Sequence, residues 1–273
     1  MYPKTPGAAQ FFSGTNYYYP HSVLMTLVQR RFHPMELLRL PEPPWNAPGT
    51  FDHINTQLDL MTTLDRVTWT VRAFAPTLTL ASSFGAEDMV LLDMWAKSEA
   101  TPIDVFCLDT GLLFPQTYDL INEVENKYGI QVRRVIPQLS VSQQALQFGP
   151  NLWERDPDTC CQLRKVNPLS RQLIGYRAWM TGIRRDQTIN RRQAPLIGWD
   201  STHNLVKVNP LAPWTYTDVL DYLTRHNVPF NPLHLQGYPS IGCQPCTKPV
   251  IDERDPRSGR WQGKEKTECG LHL

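Results

Sequence analysis

The stretch TLTLASSFGAED at residues 77–88 decides the fold class of this 273-residue chain. Its first part, residues 77–81, predicts a β-strand, and a helix is expected over residues 87–97. The intervening loop, SSFGAED, joins the end of the strand directly to the helix N-terminus. A strand that leads straight into a helix is typical of the β-α-β units from which parallel sheets are built.

The same alternation continues on both sides of this stretch. Apolar residues at helical spacing cover residues 51–75. Further strands are predicted over 103–108, 131–136 and 178–182, and further helices over 116–128, 140–148 and 215–226. This order predicts an α/β fold with a mostly parallel sheet flanked by helices.

Three regions are expected along the chain. Residues 1–50, broken by prolines, form an N-terminal extension to which the sequence assigns no role. Residues 51–250 form the α/β domain. Residues 251–273 carry few apolar groups, which predicts a flexible C-terminal tail.

The composition narrows the function classes. The chain has 27 basic and 26 acidic residues, so its net charge of +1 suggests neither nucleic-acid binding nor a polybasic membrane anchor. No apolar run approaches the ~18 residues of a membrane span, and no signal-peptide pattern is present. We therefore expect a cytoplasmic protein, in which six cysteines serve as ligands, catalysts or core residues rather than disulfides.

Three loops should leave the carboxyl ends of parallel strands, where open α/β sheets bind their ligands. The hydroxyls and glycine of residues 82–88 can offer donors to a phosphate at a helix N-terminus, or simply cap the helix. Asp109 can accept hydrogen bonds from a ribose or an adenine amine, or cap a turn. The third loop begins an arginine-rich stretch that contains Arg184, Arg185, Arg191 and Arg192. These guanidinium groups are suited to binding a phosphate or a sulfate, and the alternative is that they form a solvated loop.

Four cysteines form a potential metal site. The adjacent pair Cys160-Cys161 and the spaced pair Cys243-x-x-Cys246 supply the four thiolates of an iron–sulfur cluster or a structural zinc site. Adjacent side chains on a helix diverge by ~100°, which favours a cluster over one tetrahedral ion. Zinc, or core cysteines beside a redox C-x-x-C, remain alternatives.

Cys269 lies in the tail, where a structural role is hard to arrange. Cations at residues 257, 260, 264 and 266 could lower the pKa of its thiol and so favour the reactive thiolate. The alternative is a disordered tail in which Cys269 has no function. Cys107, in an apolar strand, is expected to fill the core.

Six motifs occur in a specific order: SSFGAED (82–88), LDTGLLFPQTY (108–118), CCQLRKVNPL (160–169), TGIRRDQ (181–187), SIGCQPCT (240–247) and KTECGLH (266–272). Together they closely resemble the assimilatory adenylyl-sulfate (APS) reductases of the phosphoadenylyl-sulfate reductase family, over about residues 52–272. The resemblance implies an adenine-nucleotide α-hydrolase-like fold. It also implies reduction of APS to sulfite and AMP through an S-sulfocysteine on Cys269, with thioredoxin or glutaredoxin as reductant, and it leaves room for a homo-oligomer.

The resemblance also assigns roles to individual residues. A [4Fe-4S] cluster, not thought to shuttle electrons in this family, would be held by Cys160, Cys161, Cys243 and Cys246. Lys165 would link the cluster environment to the substrate's sulfate and phosphate. The nucleotide loop would comprise Ser82, Ser83, Glu87 and Asp88. The residues near the adenosine would be Leu108, Asp109 and Gly111. The anion clamp would comprise Arg184, Arg185, Arg192, Arg257 and Arg260.

Two features limit the transfer of these roles. After residue 187 the chain reads Thr188-Ile189-Asn190-Arg191-Arg192, where the family usually has Ser-Pro-Gly-Thr-Arg, so the matching arginine is left open. No thioredoxin-like domain follows the tail, so a separate protein is expected to be the reductant. The alternatives are a reductase of the 3′-phosphorylated substrate PAPS or of both substrates, a non-catalytic iron–sulfur redox sensor, and a structural zinc protein.

Overall fold

A six-stranded sheet with the order β3-β2-β1-β4-β6-β5 forms the centre of the molecule. The strands are β1 Leu78–Ala81, β2 Asp104–Leu108, β3 Val132–Val135, β4 Ala178–Met180, β5 Ile197–Asp200 and β6 Leu205–Val208. All neighbouring pairs are parallel except β5 and β6, which pair antiparallel at one edge. The predicted parallel α/β sheet is confirmed, whereas the edge pair β5-β6 was not predicted.

The computed structural model describes residues 38–98, 102, 104–250 and 255–272, so the predictions for residues 1–37 and 251–254 lie outside it. Within those ranges, none of the helices has both the length and the apolar character that a bilayer crossing requires.

Helices cover the sheet in the predicted order. They are α1 Asp52–Asp59, α2 Thr63–Phe74, α3 Ala86–Lys97, α4 Pro115–Tyr128, α5 Val141–Phe148, α6 Leu152–Arg155, α7 Pro157–Cys161, α8 Asn167–Gln172 and α9 Tyr216–Arg225. One turn of π-helix, Gln162–Val166, joins α7 to α8. The apolar pattern over residues 51–75 corresponds to two helices, because the Thr62 hydroxyl caps a new N-terminus by accepting from the Asp65 amide.

The core explains why β1, β2 and β4 hold the centre of the sheet. Leu78 and Leu80 of β1 are fully buried, as is Phe106 of β2. Trp179 of β4 belongs to a buried cluster that also contains Phe106 and Leu169. Strands buried on both faces form near-continuous apolar runs, as expected when helices cover both sides of a parallel sheet.

Part of the predicted N-terminal extension packs on the domain. The compact unit begins at Leu38, whose carbonyl accepts a 2.9 Å hydrogen bond from Trp69 Nε1. The Trp45 ring contacts Phe74 edge-on, with 6.1 Å between ring centroids. Residues 38–50 therefore contribute to the packing of α2, although their sequence gave them no assigned role.

The tail residues 255–272 lie against the domain in this conformation. The amide of Trp261 donates to the carbonyl of Cys246 over 3.0 Å, and the Trp261 side chain is buried. The amide of Lys248 donates to the carbonyl of Gly259 over 2.9 Å. The close approach of that backbone leaves no room for a Cβ at Gly259. The tail is thus closed and packed here, and its movement stays a prediction.

Candidate active site

A cavity opens at the carboxyl ends of the central strands, where β1 and β4 are neighbours. Chain connections leave β1 toward β2 and β3 on one side, and the chain returns to β4 on the other, so this is the topological switch point at which α/β sheets bind ligands. The loops after β1, β2 and β4 all reach it, as does the tail. Its wall includes polar, charged and aromatic side chains. They are Ser82, Ser83, Glu87, Asp88, Thr110, Lys165, Trp179, Arg184, Arg191, His234, Ser240, Arg257, Arg260, Cys269 and His272.

The loop after β1 is held by its own helix. The amide and the hydroxyl of Ser83 donate to Asp88 Oδ2 over 2.6 and 2.7 Å. The amide of Phe84, a residue with φ of +59°, donates to Ser82 Oγ over 3.2 Å. Burial raises the pKa of Asp88 to about 6, although the bonds from Ser83 oppose the shift. The Ser83 hydroxyl is therefore committed to the loop, whereas Ser82, whose hydroxyl accepts one hydrogen bond, lines the cavity.

Arg184 lines the cavity with its charge already paired. Its Nε donates to Glu87 Oε1 over 2.9 Å, and Nη1 bonds Asp186. Gln187 Nε2 also donates to Glu87 Oε1, over 3.1 Å. This buried group ties α3 to the loop after β4, so Arg184 and Glu87 shape the wall together.

Several predicted residues are not in the wall. Arg185 Nε donates to the carbonyl of Ala194 over 2.9 Å. Arg192 is exposed on the surface. Asp109 Oδ1 accepts from the Tyr118 hydroxyl at 2.7 Å and from the Gly111 amide at 3.0 Å, the turn-capping alternative. The cavity wall contains Leu108 and Thr110 from this strand end but neither Asp109 nor Gly111.

Three cations face the cavity near the tail: Lys165, Arg257 and Arg260. Nη1 of both arginines lies within hydrogen-bonding distance of Ser240 Oγ, at 3.4 Å for Arg257 and 3.3 Å for Arg260. The Nε of each is buried without a partner among the described residues. Unsatisfied buried donors are costly, so this cationic group is suited to an anionic ligand.

Cys269 places a thiol in the wall beside these cations. Burial raises the pKa of this thiol. The Lys165 ammonium, the hydrogen bond from the Leu271 amide and the charge of Arg260 together lower the pKa by more than burial raises it, so the net pKa is below its ordinary value. The thiolate is the nucleophilic form of cysteine. Cys269 also lines a second cavity on the outer side of the tail, together with Asp158, Gln162 and Asn190.

The four remaining candidate ligands surround a single small cavity. Cys160, Cys161, Cys243 and Cys246 all line it, and all are free thiols. Burial raises the pKa of Cys161 to about 12 and that of Cys246 to about 11. Among the described residues, no three His, Cys, Asp or Glu side chains lie close enough together to hold one metal ion. The donor set consists of four soft thiols, three of them buried, a set that can hold an iron–sulfur cluster or a tetrahedral zinc ion.

Arg164 and Lys165 connect the cysteine cavity to the main one. Arg164 Nε donates to the Thr110 carbonyl over 2.6 Å, and Nη1 donates to Gln144 Oε1 over 3.1 Å. Lys165 lines both cavities. Burial lowers the pKa of Lys165, but the thiolates of Cys243 and Cys269 outweigh it, so the pKa is raised and the side chain stays charged.

Sequence reasoning missed part of the wall. Arg191 was noticed in the arginine-rich stretch, yet the resemblance pointed to its neighbour. The sequence identified Trp179 only as a strand residue. Ser240 begins the motif SIGCQPCT and His272 ends the motif KTECGLH, but neither residue was given a role. His234 lies in a 3-10 helix, Pro232–Gln236, that carried no signal at all.

The fold and the cavity define an α/β protein of the adenine-nucleotide α-hydrolase-like type, with a thiol and a cationic group in the wall of the cavity at its switch point. The profile of the phosphoadenosine phosphosulfate reductase domain matches residues 77–249, and the chain belongs to that family. It is accordingly an oxidoreductase, as the motifs predicted.

Similar proteins extend the match beyond the domain. Adenosine 5'-phosphosulfate reductase 2 of Bacillus subtilis is 44% identical over 83% of this chain and 99% of its own. Phosphoadenosine 5'-phosphosulfate reductase of Gloeobacter violaceus is 46% identical over 82% of this chain and 93% of its own. The crystal structure of phosphoadenylyl-sulfate (PAPS) reductase from Candida auris superposes with a TM-score of 0.66 at 32% identity, covering 75% of this chain and 98% of that one.

Proposed function

We propose that this protein reduces adenylyl sulfate to sulfite and AMP, with Cys269 as the nucleophile. The observation that carries the proposal is the position of the Cys269 thiol in the cavity wall beside Lys165 and Arg260. The names of its relatives from Bacillus and Geobacillus support the same activity.

The first step transfers the sulfo group to the enzyme. The Cys269 thiolate attacks the sulfate sulfur, the bond from that sulfur to the bridging oxygen breaks, and AMP leaves with the electron pair. An S-sulfocysteine remains on Cys269. Because a thiolate and a sulfate ester repel each other, Lys165, Arg257 and Arg260 lower the barrier by offsetting both charges as AMP departs.

The second step releases sulfite. A thiolate of a dithiol protein attacks Cys269 Sγ, and sulfite leaves with the electron pair of the broken S–S bond. The second thiol of the reductant then resolves the mixed disulfide and restores the Cys269 thiol. We propose that a separate thioredoxin or glutaredoxin in the cytoplasm is this reductant, because release of sulfite and of the mixed disulfide needs a dithiol.

The nucleotide is proposed to bind across β1 and β4. The helix Ala86–Lys97 starts at this crevice, and its N-terminal dipole and the Ser82 hydroxyl favour a phosphate there. Arg184 and Glu87 form a fixed wall beside it rather than a free anion site.

Cys160, Cys161, Cys243 and Cys246 are proposed to hold a [4Fe-4S] cluster. When bound, the cluster supplies an iron–sulfur centre whose net charge acts on its surroundings. The ligand role is supported by the position of the four thiols, which line one small cavity, and binding there would require them to lose their protons. Lys165 lies in the walls of both cavities, so its charge can act on the cysteines and on the substrate anion.

A PAPS reductase is the second candidate, because the Gloeobacter and Candida relatives carry that name. Turnover of APS and of PAPS, each with thioredoxin present, separates the two. We expect sulfite from APS with a kcat/KM well above that for PAPS; the reverse order would assign the protein to PAPS. If neither substrate yields sulfite, the result would favour a non-catalytic iron–sulfur sensor or a structural zinc protein. Neither of these alternatives explains the position of Cys269 in the cavity wall.

A further inference from the structure

Glu268, the residue before Cys269, is bound more firmly than a residue in a loose tail would be. Arg191 donates to it twice, from Nε to Oε1 over 3.0 Å and from Nη2 to Oε2 over 2.7 Å. The Thr188 hydroxyl adds a 3.1 Å bond to Oε1, and Arg257 Nη2 lies 3.3 Å from Oε2. The side chains of Arg191 and Glu268 are only 11% and 7% exposed, so the pair is shielded from water.

The residues after Cys269 are held by apolar and aromatic contacts. Leu271 packs on the buried cluster that contains Leu169 and Trp179. The His272 ring stacks on the Trp179 indole, with 5.5 Å between centroids and 25° between planes. Lys207 Nζ lies 5.0 Å from the ring centroid of the same indole.

His272 is a neutral stacking partner. Burial lowers its pKa well below the ordinary value, and the charges of Lys207, Arg191 and Arg257 and the neighbouring His203 lower it further. Its Nδ1 has no hydrogen-bond partner among the described residues. The ring therefore contributes its face rather than a charge or a hydrogen bond.

Gly270 provides the turn between the two sets of contacts. Its φ of +85° is a conformation that side-chain-bearing residues rarely adopt. The thiol of Cys269 thus lies between a charged contact on one side and a packed ring on the other.

We propose that Arg191 and Trp179 are positioning residues, which receive Glu268 and His272 on either side of Cys269 and so hold its thiol in the cavity wall. The inference rests on the proposed function, in which Cys269 is the nucleophile. It assigns Arg191 to the tail rather than to the substrate anion, because Nε and Nη2 of Arg191 both donate to the Glu268 carboxylate.

The test is the rate at which Cys269 reacts with a bulky charged maleimide, read by mass spectrometry of the peptide that carries it. The full-length protein is purified anaerobically, and Arg191→Met and Glu268→Gln are compared with wild type. Because a hydrogen bond to a charged group contributes about 1.5–3 kcal/mol, loss of the pair should raise the labelling rate about tenfold or more. Arg171→Met, on an exposed face of α8, is the matched control and should label like wild type.

Two further comparisons separate pairing from general damage. The double variant Arg191→Met/Glu268→Gln should label more slowly than the product of the two single effects predicts, because the two changes share the Arg191–Glu268 pair. Each residue also has partners of its own, Gln187 for Arg191 and Thr188 and Arg257 for Glu268, so the double variant can exceed either single variant. His272→Phe keeps the ring face and should label like wild type, whereas His272→Ala should label faster. Additive effects in the double variant, or an unchanged rate in folded Glu268→Gln, would overturn the proposal. Glu268→Gln is nearly isosteric, so it keeps the test available if Arg191→Met does not fold.

Kinetics distinguish positioning from anion binding. If Arg191 positions the tail, Arg191→Met lowers kcat and changes KM little. If Arg191 instead binds the substrate anion, Arg191→Met raises KM and leaves the labelling rate of Cys269 unchanged, and that pair of results contradicts the proposal. Sulfite production by Cys269→Ser would refute the proposed function alone, because labelling of the tail variants does not depend on turnover.

Discussion

The guanidinium of Arg260 packs so closely on Gly242 that a Cβ at position 242 would overlap the guanidinium group. The same guanidinium is 4.5 Å from the centroid of the Trp261 ring. Arg260, which lines the main cavity, is therefore in contact with both a glycine and an indole. The glycine of the SIGCQPCT motif has a physical purpose here, which is to leave room for this cation.

Gly242→Ala should displace Arg260 and reduce kcat/KM for APS by about tenfold or more, since an arginine contact to an anion is worth roughly 1.5–3 kcal/mol. Steady-state kinetics of the alanine variant against wild type measure the loss. The free energy of unfolding should change by about 1 kcal/mol or less, because the clash is with the far end of a flexible side chain.

Arg260→Ala gives the matched comparison for Gly242→Ala. The two single variants should lose similar activity, and the double variant should be no worse than Arg260→Ala, because the glycine then has no cation to accommodate. Full activity in Gly242→Ala together with a large loss in Arg260→Ala would show that the guanidinium can reach its position by another path.

Cys269→Ser should abolish sulfite production and the sulfonated protein adduct that forms with labelled APS. Its hydroxyl has no accessible anionic form near neutral pH, so it cannot replace the thiolate. The iron content should stay at the wild-type level, because this residue is not among the four that line the cysteine cavity. An adduct that persists in Cys269→Ser would identify a different nucleophile.

The sequence predicted the fold well because strand and helix periodicity is a local pattern, which located β1 to β4. The roles of the cysteines came from the resemblance of the ordered motifs, and they stay predictions. The strand β5 lies at the sheet edge and only one of its four residues is buried, so its pattern resembles that of a loop. The strand β6 lies between β4 and β5 with three of its four residues buried, and its apolar residues carried a strand signal that the prediction did not use.

The partners of the arginines could not be read from the sequence. Whether an arginine faces a substrate or a carboxylate depends on residues far away in the chain. Arg184 pairs with Glu87 and Arg191 with Glu268, over 97 and 77 positions respectively. Counting guanidinium groups in one stretch therefore overestimated the number of cations left for an anion.

Protein purified under anaerobic conditions should be brown and contain about four irons per chain. Cys161→Ser should lose most of the iron, because one of the four thiols that line the cysteine cavity is removed. Iron and zinc analysis together with the visible spectrum check this. Colourless wild-type protein with one zinc per chain would contradict the cluster and would favour the structural zinc alternative.

The buried carboxyl group of Asp88 should make stability depend on pH. Its pKa is raised from 3.8 to about 6, chiefly by burial, so folding favours its protonated form. The stabilisation is complete below about pH 4, the pKa of the unfolded chain, and is lost as the pH rises through the folded pKa of about 6. At most about 3 kcal/mol is lost in total, since each pKa unit corresponds to about 1.4 kcal/mol.

Asp88→Asn removes this titration while its amide oxygen can still accept both bonds from Ser83. The free energy of unfolding of the asparagine variant, relative to wild type, should therefore rise by about 1 kcal/mol between about pH 5 and about pH 7.5. Denaturant unfolding of both proteins at the two pH values measures the difference. The exposed carboxyl of Asp119 supplies the control, because Asp119→Asn should leave the pH dependence unchanged. A relative stability of Asp88→Asn that is constant or falls over this range would mean that the fold favours the ionised carboxylate, held by the Ser83 amide and hydroxyl strongly enough to outweigh burial.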